Sequence, residues 1–397
     1  MRIGIDARFL THPQAGGFKT YTSNLVQTLP VADRQNTYIL YTDRPPVPGA
    51  AIPRGPNVIV RVIAGQLPAV GMIWREQFAL SHCAFRDRLD VFHAPCLTAP
   101  LWLTCPLIVT IHDMIWARPP LTAWPVHASR RLMDYYYRVL PELAVRRAVH
   151  IITVSYAAKA EIVAGLGIAP ELVSVTYEGF STTFAPLNRA LARAKLAAAR
   201  GITGAFVLAI GSADPRKNMS TLLAAYATLP AELRAQYALV VVWTHRRLYE
   251  ATAAEAKRLG VRDRVRFLTE VSDEELALLY NAATVFAFPS LYEGFGLPLL
   301  EAMACGAPIL AGDNSSIPEI VGNAALLVDT RDPVALAEGL ARLLGDEELR
   351  GRLRARGIDH AATFSWASCA RATTKIYEYV RTLRDQGVML HGRIASR

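Results

Sequence analysis

Short apolar segments alternate with helix-like segments along the whole 397-residue chain, and this alternation limits the fold more than any other feature. The apolar segments are continuous and rich in β-branched residues, which is typical of strands buried on both faces. Separated by helices, such strands predict α/β domains with doubly wound parallel sheets. The segments predicted as strands are MRIGIDAR, TYILYTD, NVIVRVI, DVFHAP, PLIVTIHD, HIITVS, VSVTYEG, FVLAIGS, ALVVVWT, VRFLTEV, TVFAFPS, PILAGD and AALLVD. The predicted helices include residues 18–29, 73–88, 127–147, 156–166, 218–228, 246–259, 272–282 and 297–304.

Length and a break in the alternation predict two such domains. A chain of 397 residues is too long for one ordinary core. Residues 185–204 resemble a linker that carries a helix, so the predicted domains are residues 1–185 and 205–363. Residues 364–381 are predicted to form a terminal helix that packs back toward the first domain and ties the two together. Ligands of open α/β sheets bind beyond the carboxyl ends of the strands, so two facing sheets predict a cleft between the domains.

Composition predicts a folded protein that does not span a membrane. The hydrophobic fraction of 52% and charged fraction of 19% exclude a disordered chain. No segment offers the roughly 18 apolar residues of a spanning helix, and the N-terminus lacks a signal-peptide layout. Five scattered cysteines without a CxxC pair favour a reduced, cytoplasmic setting.

The net charge of +9 favours anionic partners. No lysine-rich run or nucleic-acid module is present, so nucleic acid is not a predicted partner. Residues 127–147 combine five arginines with a run of tyrosines. Such a helix either rests peripherally on an anionic membrane surface or is a solvated helix that packs its tyrosines inward.

Two adjacent cations follow a predicted strand in FVLAIGSADPRKNMSTLL. Gly211 ends the strand and Asp214-Pro215 makes the turn. Arg216 and Lys217 stand at the start of the next helix, where the macrodipole is already positive. An anion between them would offset this repulsion, so the pair predicts a diphosphate site; the alternative is two exposed surface cations.

Paired glycines and a histidine follow two strands of the first domain. Gly16-Gly17 introduces a helix that begins near Phe18, and such a pair lets the backbone approach a ligand, unless it is a plain flexible loop. His112-Asp113 ends a buried strand. A histidine there either donates a hydrogen bond to a ligand oxygen or packs as an ordinary core residue.

Two glutamates flank the start of a predicted helix in LYEGFGLPLLEAMACGAPIL. Pro298 suits the first helical position, and Gly306 suits the left-handed residue that ends the helix. Glu301 then lies about one turn into the helix, and Glu293 lies outside it. Complementing the helix dipole would account for Glu301 but not for Glu293. Both carboxylates are therefore predicted to face a ligand with several hydroxyls.

The segment around Glu293 and Glu301 resembles the signature of retaining nucleotide-sugar glycosyltransferases of family 4, also called group 1. The resemblance spans nearly the whole chain and is strongest to bacterial mannosyltransferases. It rests also on the Gly-Gly loop, His112-Asp113, VSYAAKAEI, VTYEGF, GSADPRKN, FLTEVSDEELALLYNAA, SSIPEIVGNAALLVD and FSW. It implies the GT-B fold, in which two Rossmann-like domains face each other across the active site.

The resemblance also implies a role for each candidate residue. Glu301 would hold the donor ribose, and Glu293 would contact hydroxyls of the transferred sugar. Arg216 and Lys217 would neutralise the diphosphate, and His112 would hydrogen-bond the sugar and help to place its anomeric carbon. Further donor contacts are implied at Gly16, Gly17, Gly211, Ser212, Val271, Ser272, Gly294, Phe295, Gly296 and Leu297. Some members have an arginine where this chain has Ser212, which shifts more of the phosphate load to the two cations.

These implied roles predict hexosyl transfer without a metal or cofactor. The chain has no DxD sequence to hold a metal between the phosphates, so Arg216 and Lys217 are predicted to stabilise the leaving diphosphate. The family implies retention of the anomeric configuration. No carboxylate is obviously placed as a nucleophile, which favours front-face attack with the departing phosphate taking the acceptor proton.

The sequence leaves other functions and the substrates open. A sugar-nucleotide epimerase could share this fold. A dinucleotide-dependent oxidoreductase would need a GxGxxG motif, which is missing, and a non-catalytic sugar-nucleotide-binding protein would be expected to lack the cations or carboxylates. The predicted donor is GDP-mannose, ahead of UDP-glucose, and the predicted acceptor is a glycan or a lipid-linked sugar.

Overall fold

All thirteen segments predicted as strands form strands, and their pairings are parallel. The computed structural model describes residues 1–11, 16–45, 52–65, 71–117, 128–243 and 249–387. The strands form one seven-stranded and one six-stranded sheet. The predicted α/β class with two doubly wound sheets is confirmed.

The first unit comprises Met1–Glu178 and Ser365–Arg397. Its strands are β1 (Arg2–Asp6), β2 (Thr37–Thr42), β3 (Val58–Val62), β4 (Val91–Ala94), β5 (Leu107–Thr110), β6 (His150–Thr153) and β7 (Val173–Val175). They pair in the order β3-β2-β1-β4-β5-β6-β7. Every residue of β4, β5 and β6 is buried, because helices cover both faces of the sheet.

The helices of this unit follow the predicted positions closely. They are α1 (Arg8–Thr11), α2 (Gly17–Ala32), α3 (Gly71–Trp74), α4 (Leu80–Arg86), α5 (Ala128–Arg147) and α6 (Tyr156–Leu166). A π-helical turn, Arg75–Ala79, interrupts the helix predicted over 73–88. Of the three consecutive tyrosines on α5, Tyr136 is buried whereas Tyr135 and Tyr137 are exposed, so neither interpretation of this helix describes all three.

The second unit is Gly179–Phe364. Its strands are β8 (Ala205–Gly211), β9 (Tyr237–Trp243), β10 (Val265–Leu268), β11 (Val285–Phe288), β12 (Ile309–Gly312) and β13 (Ala325–Val328). They pair in the order β10-β9-β8-β11-β12-β13. Its helices are α7 (Arg189–Arg200), α8 (Met219–Thr228), α9 (Ala231–Gln236), α10 (Glu250–Arg258), α11 (Asp273–Ala282), α12 (Leu297–Ala304), α13 (Ile317–Val321), α14 (Pro333–Gly345) and α15 (Glu347–Ala361). The first residues of the helix predicted over 246–259 lie outside the described residues.

The division between the units falls before Gly179, whereas the sequence placed it within 185–204. The reason is that the segment around α7 packs on α11 of the second unit. Asn281 on α11 accepts the N–H of Leu187 at 2.6 Å, and the Arg200 guanidinium at the end of α7 pairs with Glu275 at 2.5 Å. The segment is therefore part of a packed unit.

The chain ends in α16 (Trp366–Asp385), which returns to the first unit. The hydroxyl of Tyr377 lies 2.7 Å from Nδ1 of His93 on β4, and the Arg384 guanidinium lies 3.0 Å from the Asp90 carboxylate. His93 is buried and Asp90 is half-buried, so α16 packs as a structural part of this unit.

Candidate active site

Lys217 and Glu293 form an ion pair at the carboxyl ends of two neighbouring strands of the second unit. Lys217 ends the short turn after β8, and Glu293 lies in the loop after β11. The Nζ and Oε1 atoms are 2.6 Å apart, and the two side chains are 22% and 14% exposed. The ammonium also lies 5.1 Å from the centre of the Phe288 ring, within cation–π range. The structure thus joins a predicted cation to a predicted acid 76 positions away.

Hydrogen bonds from neighbouring loops fix the backbone of this pair. The N–H of Leu291 donates to the carbonyl of Arg216 at 2.8 Å. The N–H of Glu293 donates to Oγ of Ser315 at 3.0 Å, and Oγ of Ser316 donates to the Glu293 carbonyl at 3.0 Å. Sequence reasoning assigned no role to these serines. Their signal was their place in SSIPEIVGNAALLVD, directly after β12.

Arg216 is held by Asp214 and not by the acid that holds Lys217. Its Nε lies 3.1 and 3.0 Å from the two carboxylate oxygens of Asp214, and its terminal nitrogen also contacts one of them. Asp214 further accepts the backbone N–H of Arg216 at 3.0 Å. Each cation of the predicted diphosphate site therefore has a carboxylate of its own, which an incoming anion would have to replace.

Glu301 lies one turn inside α12 and pairs with a buried tyrosine. The hydroxyl of Tyr280 on α11 donates to Oε2 of Glu301 at 3.3 Å. Burial, followed by the charge of Glu301, raises the pKa of Tyr280 well above its ordinary value, so the hydroxyl stays protonated and remains a donor. The helix ends as predicted, with Gly306 in the left-handed region at φ 72°.

The start of α12 is a buried glycine turn. Gly294, Phe295 and Gly296 are all buried, and Gly296 precedes the helix at φ 101°, a conformation that favours glycine. Leu297 is the first helical residue and Pro298 the second, one position later than predicted. Proline is tolerated at either position because the first N–H groups of a helix have no intrahelical partner.

Four further donor candidates lie at or just after the carboxyl ends of β8 and β10. A Cβ on Gly211 would lie 2.8 Å from the Trp243 ring, so only glycine fits at the end of β8. Oγ of Ser212 accepts a backbone N–H of the following turn at 3.2 Å. Val271 is half-buried after β10, and Ser272 caps α11 by accepting an N–H of its first turn. Their contacts with a donor stay predictions.

In the first unit, polar groups contact both ring nitrogens of His112, and two aromatic rings pack against the imidazole. Its Nδ1 lies 3.4 Å from the carboxylate of Glu178, and its Nε2 lies 3.3 Å from the carbonyl of Pro95. The rings of Tyr21 and Phe18 meet it edge-on at 4.6 and 5.1 Å. Glu178 is buried after β7 and carried no predicted role, although VTYEGF places an acid at a strand end. This carboxylate fixes the orientation of the imidazole.

The paired glycines introduce α2, as predicted. Gly16 precedes the helix at φ 144° and Gly17 is its first residue, one position before the predicted start. Both are exposed, and a Cβ at either would meet no atom within 4 Å. The backbone conformation thus favours glycine at position 16, whereas crowding requires it at neither. Residues 12–15 lie outside the described residues.

A buried network of two acids and two bases lies at the carboxyl end of β1, and sequence reasoning missed it. Asp6, Arg75 and Glu76 are completely buried, and Arg8 is 3% exposed. Arg75 lies 3.0 Å from Asp6, while Arg8 contacts both Asp6 and Glu76. The hydroxyl of Tyr136 donates to Glu76 at 2.6 Å. Each charge therefore has an opposite partner.

Both halves of the chain match families of known proteins. Residues 15–184 match the family described as Glycosyltransferase Family 4, and residues 195–360 match Glycosyl transferases group 1. The O-antigen chain mannosyltransferase B of Escherichia coli is 33% identical over 74% of this chain and 76% of its own length. The chain belongs to the group 1 glycosyltransferases. An MMP alpha-(1->4)-mannosyltransferase of Mycolicibacterium hassiacum is 33% identical to this glycosyltransferase over 69% of the chain and 65% of that relative.

Solved structures show the same fold at lower identity. A sucrose-phosphate synthase from Thermosynechococcus elongatus covers 96% of this glycosyltransferase and 99% of its own chain, at a TM-score of 0.76 and 22% identity. Anabaena HepE in complex with UDP-glucose covers 95% and 99%, at a TM-score of 0.73 and 21% identity. The fold is that of the GT-B glycosyltransferases, and the enzyme is a hexosyltransferase. None of these relatives supports the epimerase that the sequence left open.

Proposed function

We propose that the enzyme transfers mannose from GDP-mannose to a hydroxyl of a glycan or lipid-linked acceptor, with retention and without a divalent metal. UDP-glucose is the second candidate donor. The Lys217–Glu293 pair carries the proposal, because it places a cation for phosphate beside an acid for sugar hydroxyls. The mannosyltransferase relatives favour mannose, and the UDP-glucose complex of Anabaena HepE favours a nucleotide-sugar donor.

In the proposed reaction, the donor diphosphate replaces Glu293 as the ion-pair partner of Lys217. The ammonium then stabilises the negative charge that builds on the leaving phosphate, while the released carboxylate accepts hydrogen bonds from the sugar. Arg216 exchanges Asp214 for phosphate oxygens in the same way, and Glu301 holds the ribose. The departing phosphate accepts the proton of the attacking hydroxyl, and the new bond forms on the face that the phosphate leaves.

Release of GDP from GDP-mannose in the presence of a mannose-terminated acceptor tests this function. We expect turnover to be unchanged after prolonged treatment with EDTA, because lysine and arginine supply the positive charge. The one-bond C1–H1 coupling constant of the transferred sugar, measured by NMR, should report an α-linkage in the product, as in the donor. Loss of turnover with EDTA and its recovery with Mg²⁺ would contradict the metal-independent mechanism, and a β-linked product would contradict retention.

We further propose that the first unit contacts an anionic membrane surface. The helical segment that runs from α3 through the π-helical turn to α4 buries polar residues of the turn and exposes aromatic residues along its length. Arg75, Glu76 and Gln77 are buried, whereas Trp74 is 51%, Phe78 63% and Phe85 65% exposed. These three aromatic residues, which we call the aromatic face, recur at spacings of four and seven positions and so share one side of the helix. An ordinary surface helix buries its apolar side chains and exposes its polar ones, whereas this segment does the opposite.

The helix α5 contacts the same π-helical turn and also exposes aromatic side chains. Tyr136 of α5 bonds to Glu76, and its neighbours Tyr135, Tyr137 and Arg138 are exposed. The first unit carries 23 Lys and Arg residues against 14 Asp and Glu, whereas the second carries 20 of each. The entire net positive charge of the chain therefore lies in the unit that exposes these aromatic side chains, as adsorption on anionic lipid requires. None of the helices in the described part of the chain has both the length and the apolar character that a membrane crossing requires.

Vesicle co-sedimentation tests this surface. The protein should bind vesicles with phosphatidylglycerol more strongly than vesicles of phosphatidylcholine alone, and less strongly as salt increases. The triple substitution Trp74→Ser, Phe78→Ser and Phe85→Ser should weaken binding roughly 10- to 100-fold. The reason is that the variant has less apolar side-chain surface to transfer from water into the lipid.

The control is Tyr379→Ser, which removes a 49% exposed aromatic side chain of α16 in the same unit. Equal binding of the control and the triple variant would show that the aromatic face does not contact lipid.

A further inference from the structure

Four arginines of the second unit converge on one place, which we call the arginine cluster. Arg189 and Arg193 lie one turn apart on α7, and Arg350 and Arg354 lie one turn apart on α15. All four are partly buried. Burial, followed by the charges of the other three arginines, lowers the pKa of Arg189 to about 10, and Glu347 is the acid that opposes them. Four cations thus act on one another, and the carboxylate of Glu347 opposes them.

Backbone carbonyls hold three of these side chains but do not neutralise them. Arg189 donates to the carbonyl of Ala283 at 3.1 Å, and Arg354 donates to that of Gly306 at 2.9 Å. Arg350 donates to the carbonyl of Leu344 at 2.8 Å. These carbonyls close the ends of α11, α12 and α14 and carry only the partial negative charge of a helix terminus. They position the guanidinium groups and leave a net positive charge.

Two buried donors of the arginine cluster lack an acceptor. Among the described residues, Nε of Arg189 and Nε of Arg193 are shielded from solvent and have no hydrogen-bond partner. A buried N–H without an acceptor is costly, and a cluster of like charges adds to that cost. A multivalent oxyanion would remove both costs, because it supplies several acceptors and compensating charge.

We infer that the arginine cluster is a binding site for a phosphate-bearing anion, separate from the donor site. Ala283 and Gly306 precede β11 and β12, so the cluster lies at the amino ends of these strands. Lys217 and Glu293 lie at the carboxyl ends of the same sheet. A four-residue strand spans about 13 Å, so one anion cannot contact both places. The site therefore does not depend on the proposed function.

Calorimetric titration with inorganic phosphate, inorganic diphosphate and glycerol phosphate tests the site, with Lys217→Ala as the background that weakens the donor site. We expect binding of at least one probe in this background. Adding Arg193→Gln should weaken it about tenfold, the effect of one charge-assisted hydrogen bond. Glu347→Gln should strengthen it, because it removes the opposing acid. The matched control is Arg352→Gln on α15, whose side chain is 47% exposed and pairs with Glu348.

Thermal unfolding separates binding from a purely structural role. In buffer without phosphate, Arg193→Gln should melt at or above the temperature of the Lys217→Ala background, because removing one of four like charges relieves repulsion. With phosphate, the background should gain more than the Arg193→Gln variant. Tighter binding of inorganic phosphate or diphosphate would identify a free anion as the ligand, and tighter binding of glycerol phosphate would identify a phosphate monoester. Either result supports the site. No binding to the background, or equal binding by the Arg193→Gln and Arg352→Gln variants, would overturn it.

Discussion

Alanine in place of Lys217 is expected to lower kcat/KM for the nucleotide sugar about 100- to 1,000-fold. The Lys217 ammonium lies 2.6 Å from Glu293, beside the group proposed to hold the sugar. A lysine is a compact point charge with three donors, so it can exchange a carboxylate for phosphate oxygens as the donor binds. The charge on the leaving phosphate grows as the anomeric bond breaks. The loss should therefore fall mainly on kcat, since the interaction is strongest in the transition state.

The matched control is Lys257→Ala, which removes an exposed lysine of α10 in the same unit and should leave kcat/KM unchanged. The pair Lys217→Ala and Glu293→Gln separates two roles of the acid. If Glu293 only holds the lysine, the second substitution adds no loss to the first; if it also contacts the sugar, activity falls further. A folded Lys217→Ala enzyme with kcat/KM within a few-fold of the wild type would refute the role of this cation.

The strands could be predicted from the sequence because their signal is local. A fully buried parallel strand must be apolar, or its polar side chains must be hydrogen-bonded internally. β11 is apolar throughout, and His93 of β4 lies 2.8 Å from the hydroxyl of Thr110 on β5. The interruption at Arg75–Ala79 could not be predicted in this way. There the helix buries Arg75 and Glu76, whose partners Asp6 and Tyr136 come from distant parts of the chain.

Candidate positions in the site were also predictable, whereas their pairing was not. Ligands bind at the carboxyl ends of the strands in an α/β sheet, and this rule alone singles out Lys217, Glu293 and His112 in the sequence. Which acid holds which cation depends on how the loops fold over those strand ends. Two adjacent cations thus have different partners, because Arg216 bonds within its own turn and Lys217 reaches the loop after β11. The buried Glu178 beside His112 was missed for the same reason.

Methionine in place of Arg75 is expected to lower the free energy of unfolding by about 3–5 kcal/mol, because it leaves buried partners unpaired. Arg75 donates to Asp6 at 3.0 Å and to the carbonyls of Ile63 and Tyr41 at 3.0 and 3.1 Å. Burial alone would raise the pKa of Asp6, but the charges of Arg75 and Arg8 outweigh it and hold the pKa below its usual value. This carboxylate therefore stabilises the fold above its unfolded pKa of about 3.9 and loses that effect as the pH falls through its folded pKa.

Urea unfolding at neutral pH measures the loss, and acid unfolding checks its cause. Without Arg75 the pKa of Asp6 should rise, so the stability difference between the variant and the wild type should shrink as the pH falls and Asp6 becomes protonated in both. Adding Asp6→Asn to Arg75→Met should recover part of the stability, since the unpaired charge is removed with its partner. Arg146→Met, which breaks an exposed pair with Glu142 on α5, should cost less than about 1 kcal/mol. If Arg75→Met costs no more than that control, the buried network does not stabilise the first unit, and its charges must be satisfied in some other way.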